Sequence, residues 1–88
     1  MEWIELTTDE ATHVVIVVPV TRSVTKVFPF QVRLVKGTGG LAADSKAQAE
    51  QLRAVDVDRL GPVIGHLPRS AMAELDDALR LQLDLHDH

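Results

Sequence analysis

An apolar run from Val14 to Val20 places the tightest constraint on how this chain can fold. Every residue in the run is β-branched except Pro19. The run is too short to cross a membrane, and its composition is typical of a β-strand that is buried on both faces. Because proline has no amide hydrogen to give to a neighbouring strand, Pro19 is expected near the end of the strand or at an edge. The sequence therefore predicts a buried β-strand across this run.

Shorter strand signals flank the run on both sides. Phe28–Val35 alternates apolar and polar residues, which predicts a strand with one face toward water. Trp3–Leu6 and Val63–Leu67 are predicted to be short strands, and Thr7–Thr12 has the polar composition of a turn. Two further segments are predicted to be irregular: the glycine-rich loop Lys36–Gly40 and a turn or short helical piece at Val57–Gly61.

The carboxyl-terminal part of the chain carries helical periodicity. Apolar residues recur at helical spacing from Ser70 to Leu83, and Pro68 stands where a helix can begin without losing a hydrogen bond. The face that is expected to lie in the core consists of Met72, Leu75, Leu79 and Leu83. The coarse order is therefore several short strands followed by one amphipathic helix.

The segment from Lys46 to Val55 fits two patterns. Its residues alternate as in a strand, with Gln51 and Arg53 on one side, but its alanine and glutamate content would also suit a helix. Periodicity alone leaves both interpretations open.

Length and composition exclude several classes of protein. A chain of 88 residues allows one small domain, and the absence of cysteine excludes a disulfide framework or a thiolate metal site. Residues 1–10 carry four acids and no base, which is the wrong charge for a signal peptide. We therefore expect a cytoplasmic protein that does not associate with membranes.

The chain is acidic overall, but its middle part is basic. The net charge is −4, which argues against a general nucleic-acid binder. Residues 11–46, however, hold five bases against one acid, and phosphate attraction depends on the local charge of a face. The five bases are Arg22, Lys26, Arg33, Lys36 and Lys46. They form either a basic face or an ordinary set of solvated strand residues.

Four segments, in this order and at this spacing, resemble the carboxyl-terminal two-thirds of the MazF/PemK toxins. They are Val17–Thr21 (VVPVT), Phe28–Val32 (FPFQV), Lys46–Asp56 (KAQAEQLRAVD) and Ala78–Leu85 (ALRLQLDL). The resemblance implies a mainly β fold with a terminal helix, of the SH3-like small-barrel type shared by MazF, PemK and CcdB toxins. It also makes Lys46–Val55 a strand. The domain is expected to span residues 14–85, between a divergent segment at 1–13 and a tail at 86–88.

The amino-terminal segment departs from the family pattern. Family members open with a strand, a flexible loop and an Arg-Pro that starts a second strand, and no Arg-Pro occurs among residues 1–13. The barrel is therefore expected to be incomplete, lacking an early strand and loop. Trp3–Leu6 is interpreted either as the end of the family's first strand or, with the rest of residues 1–13, as unrelated sequence.

The resemblance also implies a function. Members of this family are dimeric endoribonucleases, the toxins of type II toxin–antitoxin pairs, and they cut single-stranded RNA at short sequences without a metal or other cofactor. A cognate antitoxin wraps the dimer and covers the RNA groove. The expected partners are thus a cognate antitoxin, single-stranded RNA and a second copy of the chain. The alternative is a catalytically dead homologue that binds antitoxin, a partner toxin or RNA without cleaving, because the loop with the family's catalytic arginine is not found here.

Candidate site residues follow from the matched segments. Thr21 aligns with the hydroxyl residue that the family places near the scissile phosphate, although a threonine at a strand end also commonly bonds the backbone. Gln51 is expected to read a base edge with its amide, and Arg53 to pair with a phosphate. Arg53 bonded to Glu50 or Asp56 is the structural alternative.

Arg22 and Lys26 follow Thr21 closely and are the candidate replacements for the missing arginine. Each is expected either to contact RNA phosphate or to be a solvated surface base. His13 and His66 match no catalytic position of the family, and no metal site is expected.

Overall fold

A computed structural model describes residues 2–86, and the side chains of residues 2–84. This part of the chain folds into an antiparallel sheet and one carboxyl-terminal helix. The elements are β1 Glu2–Asp9, β2 Val14–Thr21, β3 Gln31–Leu34, β4 Ser45–Gln48, β5 Arg53–Asp56 and α1 Arg69–His86. Single 3-10 turns occur at Thr38–Gly40, Ala49–Gln51 and Val57–Arg59. Tail residues 87–88 lie outside the described range.

Strand β2 is the centre of the sheet. One edge of β2 pairs with β1, and the other pairs with β5 and then with β4, whose far edge holds β3. Residues from Val17 to Val20 are buried whichever face they point to. The prediction of a strand buried on both faces is confirmed.

Strands β1 and β2 form a hairpin. The turn between them ends at His13, whose φ of 57° places it in the left-handed region, one that histidine enters more readily than most residues. The pairing register slips at Leu6, a β-bulge, and both Ile4 and Leu6 pack against the core. The predicted short strand Trp3–Leu6 therefore extends to Asp9, into the segment for which a turn was predicted.

The segment Lys46–Val55, which the family resemblance made a strand, is not one continuous strand. It runs antiparallel to β2 as β4 and β5, but leaves β2 at the 3-10 turn Ala49–Gln51. Six residue steps separate Ala47 from Arg53, whereas their partners Val20 and Val17 are three steps apart. Pro19 lies within this gap and lacks an amide hydrogen, so the ladder is interrupted where β2 cannot donate.

Strand β3 is shorter than predicted. The regular part spans Gln31–Leu34, and Phe28 and Phe30 precede it in a turn that is closed by a hydrogen bond from the Gln31 amide to the Phe28 carbonyl. Val35 is exposed beyond the strand. The alternation predicted the inward-facing Val32 and Leu34 correctly, but it extended the pattern into the flanking turns.

Helix α1 packs on the sheet with the predicted face, except at its end. Its most buried residues are Ala71, Leu75 and Ala78, which contact β3 and the 3-10 turn at Ala49–Gln51. Met72 and Leu79 are partly buried against the same cluster. The prediction that Leu83 lies in the core is wrong, because Leu83 is 55% exposed and does not belong to the core cluster.

The segment 60–68 is extended but pairs with no strand, so the predicted strand Val63–Leu67 is wrong. Its residues Val63 and Ile64 are largely exposed. The segment is held instead by backbone packing between Gly40 and Gly65. A β-carbon on Gly40 would overlap the Ile64 carbonyl oxygen, and one on Gly65 would overlap the Gly39 carbonyl oxygen.

In the part of the chain that the structure describes, no helix has both the length and the apolar character needed to cross a membrane.

We expect Gly65→Ala to lower the free energy of unfolding by about 1–3 kcal/mol, because the added methyl group must push two backbone segments apart. Gly61→Ala is the matched control, since a β-carbon there meets no atom within 4 Å, and its effect should stay within about 0.5 kcal/mol. Urea unfolding of both variants measures the difference. Equal stabilities would contradict the close packing of the two glycine segments.

Candidate nucleic-acid interface

One face of the sheet points away from the helix and carries a row of polar residues. Val20, Ala47 and Val32 are directly opposite one another on neighbouring strands and belong to the core beneath the helix. Their sequence neighbours Thr21, Lys46 and Arg33 are also directly opposite one another. Because successive side chains in a strand point to opposite faces, this second row lies on the other face of the sheet.

Thr21 is the last residue of β2 and is partly exposed. Its Oγ1 accepts a hydrogen bond from the Ser23 amide at 3.3 Å, so it starts the loop that follows the strand. The backbone bond that threonines often make at strand ends is therefore present. The hydroxyl hydrogen is not used in that bond and can be donated to an acceptor such as a phosphate oxygen.

Lys46 joins this row to the loop between β2 and β3. Only 8% of the residue is exposed, and its Nζ donates to the Lys26 carbonyl at 2.7 Å. Across the sheet it is paired with Thr21 on one side and Arg33 on the other. Arg33 is half-exposed and forms an ion pair with Asp44 at 3.6 Å.

The loop at residues 22–30 presents a cation and two aromatic rings. The Lys26 Nζ lies 4.7 Å from the centroid of the Phe28 ring, within the range of a cation–π contact. The Phe28 and Phe30 rings are parallel within 3°, with centroids 5.4 Å apart. Phe28 is 38% exposed, and Arg22 is exposed at the start of the loop. The loop therefore offers positive charge and an exposed aromatic surface together.

Polar side chains hold the far end of this loop in place. The Phe28 amide donates to Gln31 Oε1 at 3.1 Å, and Gln31 Nε2 donates to Glu50 Oε2 at 2.6 Å. Glu50 comes from the 3-10 turn that interrupts β4 and β5. Its second oxygen, Oε1, is buried without a partner among the described residues. The turn at 49–51 thus fixes the loop through Gln31.

Gln51 and Arg53 do not share a strand face, contrary to the prediction. Gln51 is exposed in the 3-10 turn, and Arg53 begins β5 opposite Val17. The expected alternative, Arg53 bonded to Glu50 or Asp56, is not found either. Arg53 donates from Nε to the Gln51 carbonyl at 3.4 Å, and its guanidinium lies 5.6 Å from the Trp3 ring centroid.

Thr21 and Arg53, two of the predicted site residues, lie at separate points along β2. Val17, the partner of Arg53, is four residues from Thr21, so the two positions are about 13 Å apart at roughly 3.3 Å per residue. Gln51 lies in the 3-10 turn that joins β4, which pairs with Thr21, to β5, which begins at Arg53. His13 is at the other end of β2, eight residues from Thr21, and His66 is exposed in the segment 60–68.

Several residues of this face were not predicted. The charge distribution predicts Lys46 only as one of five bases, although its alternation with Ala47 indicates a position on the face opposite the core. The patterns at Trp3 and Phe28 predict strand residues and no role in binding. The roles of Gln31 and Glu50 depend on a contact across 19 residues, for which the sequence carries no local signal.

Within residues 2–84, whose side chains the structure describes, no three histidine, aspartate or glutamate side chains come close enough to hold a metal ion.

Residues 6–83 match the family model described as PemK-like, MazF-like toxin of type II toxin-antitoxin system.

The chain belongs to this toxin family.

Among proteins of this MazF-like family, a relative from Mycobacterium tuberculosis (strain ATCC 25618 / H37Rv) is named Endoribonuclease MazF9. It is 51% identical over 72 residues, which cover 82% of this chain and 61% of the relative. The chain therefore spans about three-fifths of that relative's length. The predicted family is confirmed.

Solved structures of MazF-like proteins share the fold. Mycobacterium tuberculosis toxin MazF-mt6 has a TM-score of 0.79 at 24% identity, covering 93% of this chain and 84% of its own. An endoribonuclease in complex with its cognate antitoxin, from a mycobacterial species, has a TM-score of 0.77 at 19% identity, covering 94% and 80%. The predicted fold class, mainly β with a terminal helix, is confirmed.

We expect Glu50→Ala to lower the free energy of unfolding by about 1–3 kcal/mol, because Gln31 Nε2 loses its acceptor in a partly buried position. The loop should loosen as well, so exchange of the Phe28 amide hydrogen, measured by NMR, should become faster. Glu74→Ala, on the exposed side of α1, is the control and should leave both quantities nearly unchanged. An unaltered Phe28 exchange rate would contradict the link from the 3-10 turn to the loop.

Proposed function

We propose that this chain is the toxin of a type II toxin–antitoxin pair and cleaves single-stranded RNA without a metal ion. The observation that carries the proposal is the placement of Thr21 and Arg53 on one sheet face, beside a loop with exposed cations and an aromatic ring. The identity with a relative named as an endoribonuclease supports the same reaction. Within this proposal, residues 14–85 form the toxin domain and the site of action is the cytoplasm.

The chemistry assigned to the face is attack by the 2′-oxygen on the adjacent phosphorus. A bond forms between the 2′-oxygen and phosphorus while the bond to the 5′-oxygen breaks. The 2′-hydroxyl gives its proton to water, and the leaving oxygen takes one from water. Thr21 donates its hydroxyl hydrogen to a non-bridging phosphate oxygen, where negative charge increases in the transition state. Arg22 and Lys26 contact neighbouring phosphates.

Recognition of the bases is assigned to the other end of the face. The exposed amide of Gln51 offers both a donor and an acceptor to a base edge. Arg53 pairs with a phosphate, and Trp3 beside it provides an apolar surface against which the guanidinium is held. Because Arg53 is paired with Val17, about 13 Å from Thr21 along β2, it contacts a nucleotide that flanks the cleaved bond.

The partners that we propose are a cognate antitoxin and a second copy of the chain. The antitoxin is supported by the fold shared with the endoribonuclease–antitoxin complex. The dimer is tested by light scattering of the purified chain, which should give twice the 9.7 kDa of one chain. Co-expression with the product of the adjacent reading frame should yield a stable complex of larger mass that no longer cleaves RNA. A monomeric mass would contradict the dimer, and RNA cleavage by the complex would contradict the antitoxin's role.

A second function, RNA binding without cleavage, is favoured by one specific observation. Within residues 2–84, whose side chains the structure describes, the histidines are His13, eight residues from Thr21 along β2, and His66, in the exposed segment 60–68, and neither is a strand partner of Thr21. No arginine occurs before Arg22. The groups that would take up and return protons at neutral pH are therefore not placed beside Thr21 by this part of the chain.

Cleavage of single-stranded RNA by the purified chain, in the presence of a chelator, decides between the two functions. We expect site-specific cuts, and Thr21→Ala should slow them by about 100-fold because a preorganised donor to the phosphate is lost. Thr12→Ala, in the exposed turn at the opposite end of β2, is the matched control and should cleave at the normal rate. Binding of the same RNA without any cuts would favour the second function, and equal rates for both variants would remove Thr21 from the site.

A further inference from the structure

We propose that Lys46 supplies the positive charge of a phosphate-binding site beside Thr21. The proposal rests on the proposed function in one respect, since the phosphate it would hold belongs to the RNA backbone. The family resemblance assigns no role to Lys46. In this proposal Lys46, and not Arg22 or Lys26, takes the place of the family's catalytic arginine at the phosphate.

The first argument is position. Lys46 is the cross-strand partner of Thr21, and both side chains leave the sheet on the face away from the helix. Directly opposite residues of an antiparallel pair have β-carbons about 5 Å apart. A phosphate that accepts a hydrogen bond from the Thr21 hydroxyl is therefore within reach of the Lys46 side chain.

The second argument is the environment of the ammonium group. Lys46 is nearly buried, yet no carboxylate pairs with it: within the described part of the chain, the recorded ion pair is Arg33 with Asp44. A buried charge without a counter-ion is unfavourable and calls for an anionic partner. One of the three donors of Nζ is used by the Lys26 carbonyl. Two donors remain for an anion that approaches through the exposed part of the residue.

The third argument is preorganisation. Arg22 is exposed and must lose side-chain freedom when it binds, and the Lys26 ammonium already lies over the Phe28 ring. Lys46 is held by packing and by its bond to the loop carbonyl before any ligand arrives. A fixed cation at the phosphate stabilises developing negative charge more effectively than a mobile one. Lys46 also holds the loop that carries Lys26, so one side chain joins the anion site to the rest of the RNA face.

The direct test is a titration of the uniformly ¹⁵N-labelled chain with inorganic phosphate, followed by NMR. In the unmodified chain, the amide signals of Thr21 and Lys46 should shift in a saturable way. Lys46→Met keeps a similar apolar stem without the charge and should abolish the saturable shifts. Lys36→Met removes an exposed cation from a neighbouring loop and is the matched control, which should behave like the unmodified chain.

Three outcomes would overturn the proposal. The first is the absence of saturable shifts at Thr21 and Lys46 in the unmodified chain, a result that needs no variant to fold. The second is the same shifts in Lys46→Met, and the third is their loss in Lys36→Met. Lys46→Arg serves as a rescue variant, because it keeps the charge and should retain at least part of the response.

A second measurement separates this proposal from the proposed function. Binding of a fluorescent single-stranded 2′-O-methyl oligonucleotide of random sequence cannot lead to cleavage. Lys46→Met should weaken it and reduce the slope of log K against log salt by about 0.7, the value for one phosphate contact to a single strand. Phosphate and oligonucleotide binding without RNA cleavage would support the Lys46 site and contradict the nuclease function. RNA cleavage by the unmodified chain, with the same salt slope in Lys46→Met, would support the nuclease function and contradict the Lys46 site.

Discussion

The missing amide hydrogen of Pro19 shapes much of this molecule. It lies in the central strand, two residues from the strand's end, where both faces are buried and a neighbouring strand would ordinarily be paired. Opposite this point the facing segment leaves the ladder after Ala47 and returns at Arg53, six residues later, while β2 advances by only three residues. The excursion is the 3-10 turn at Ala49–Gln51. Glu50 and Gln51 therefore lie in the turn that fills the gap between the two ladders.

The loop between β2 and β3 depends on that turn and on β4. It has little apolar surface in the core, and polar contacts position it instead: Lys46 holds the Lys26 carbonyl, and Glu50 holds Gln31, which holds the Phe28 amide. These contacts are directional and reach backbone atoms of Lys26 and Phe28, so they fix the path of the loop backbone. A loop that is held in this way can present charged and aromatic groups without burying them.

The sequence predicted what periodicity and local chemistry control. The β-branched run gave β2, and helical spacing gave α1 and its inner face at Leu75 and Leu79. Periodicity failed where a tertiary contact overrides the local pattern. Val63–Leu67 has strand composition but meets no free strand edge, and Leu83 keeps the helical spacing but does not belong to the core cluster.

The matched segments supplied the candidate residues but not their arrangement. The structure places Thr21 and Arg53 on one sheet face, whereas Gln51, predicted to share a strand face with Arg53, lies in the 3-10 turn. Lys46 could not be chosen from sequence because nothing local distinguishes a lysine beneath a loop from a lysine in water. Its environment depends on the Lys26 carbonyl, 20 residues earlier in the chain.

The contact between Gly40 and Gly65 has a consequence for comparing members of this family. It joins two distant segments through main-chain atoms, so no side chain has to be matched to another for the segments to stay together. An evolving sequence that keeps this chain path must therefore leave both positions without a side chain. The side chains of Val63 and Ile64, which are largely exposed, can be substituted without disturbing this contact. Alignments should show invariant glycines at these two positions, a signature that geometry imposes without any role in chemistry.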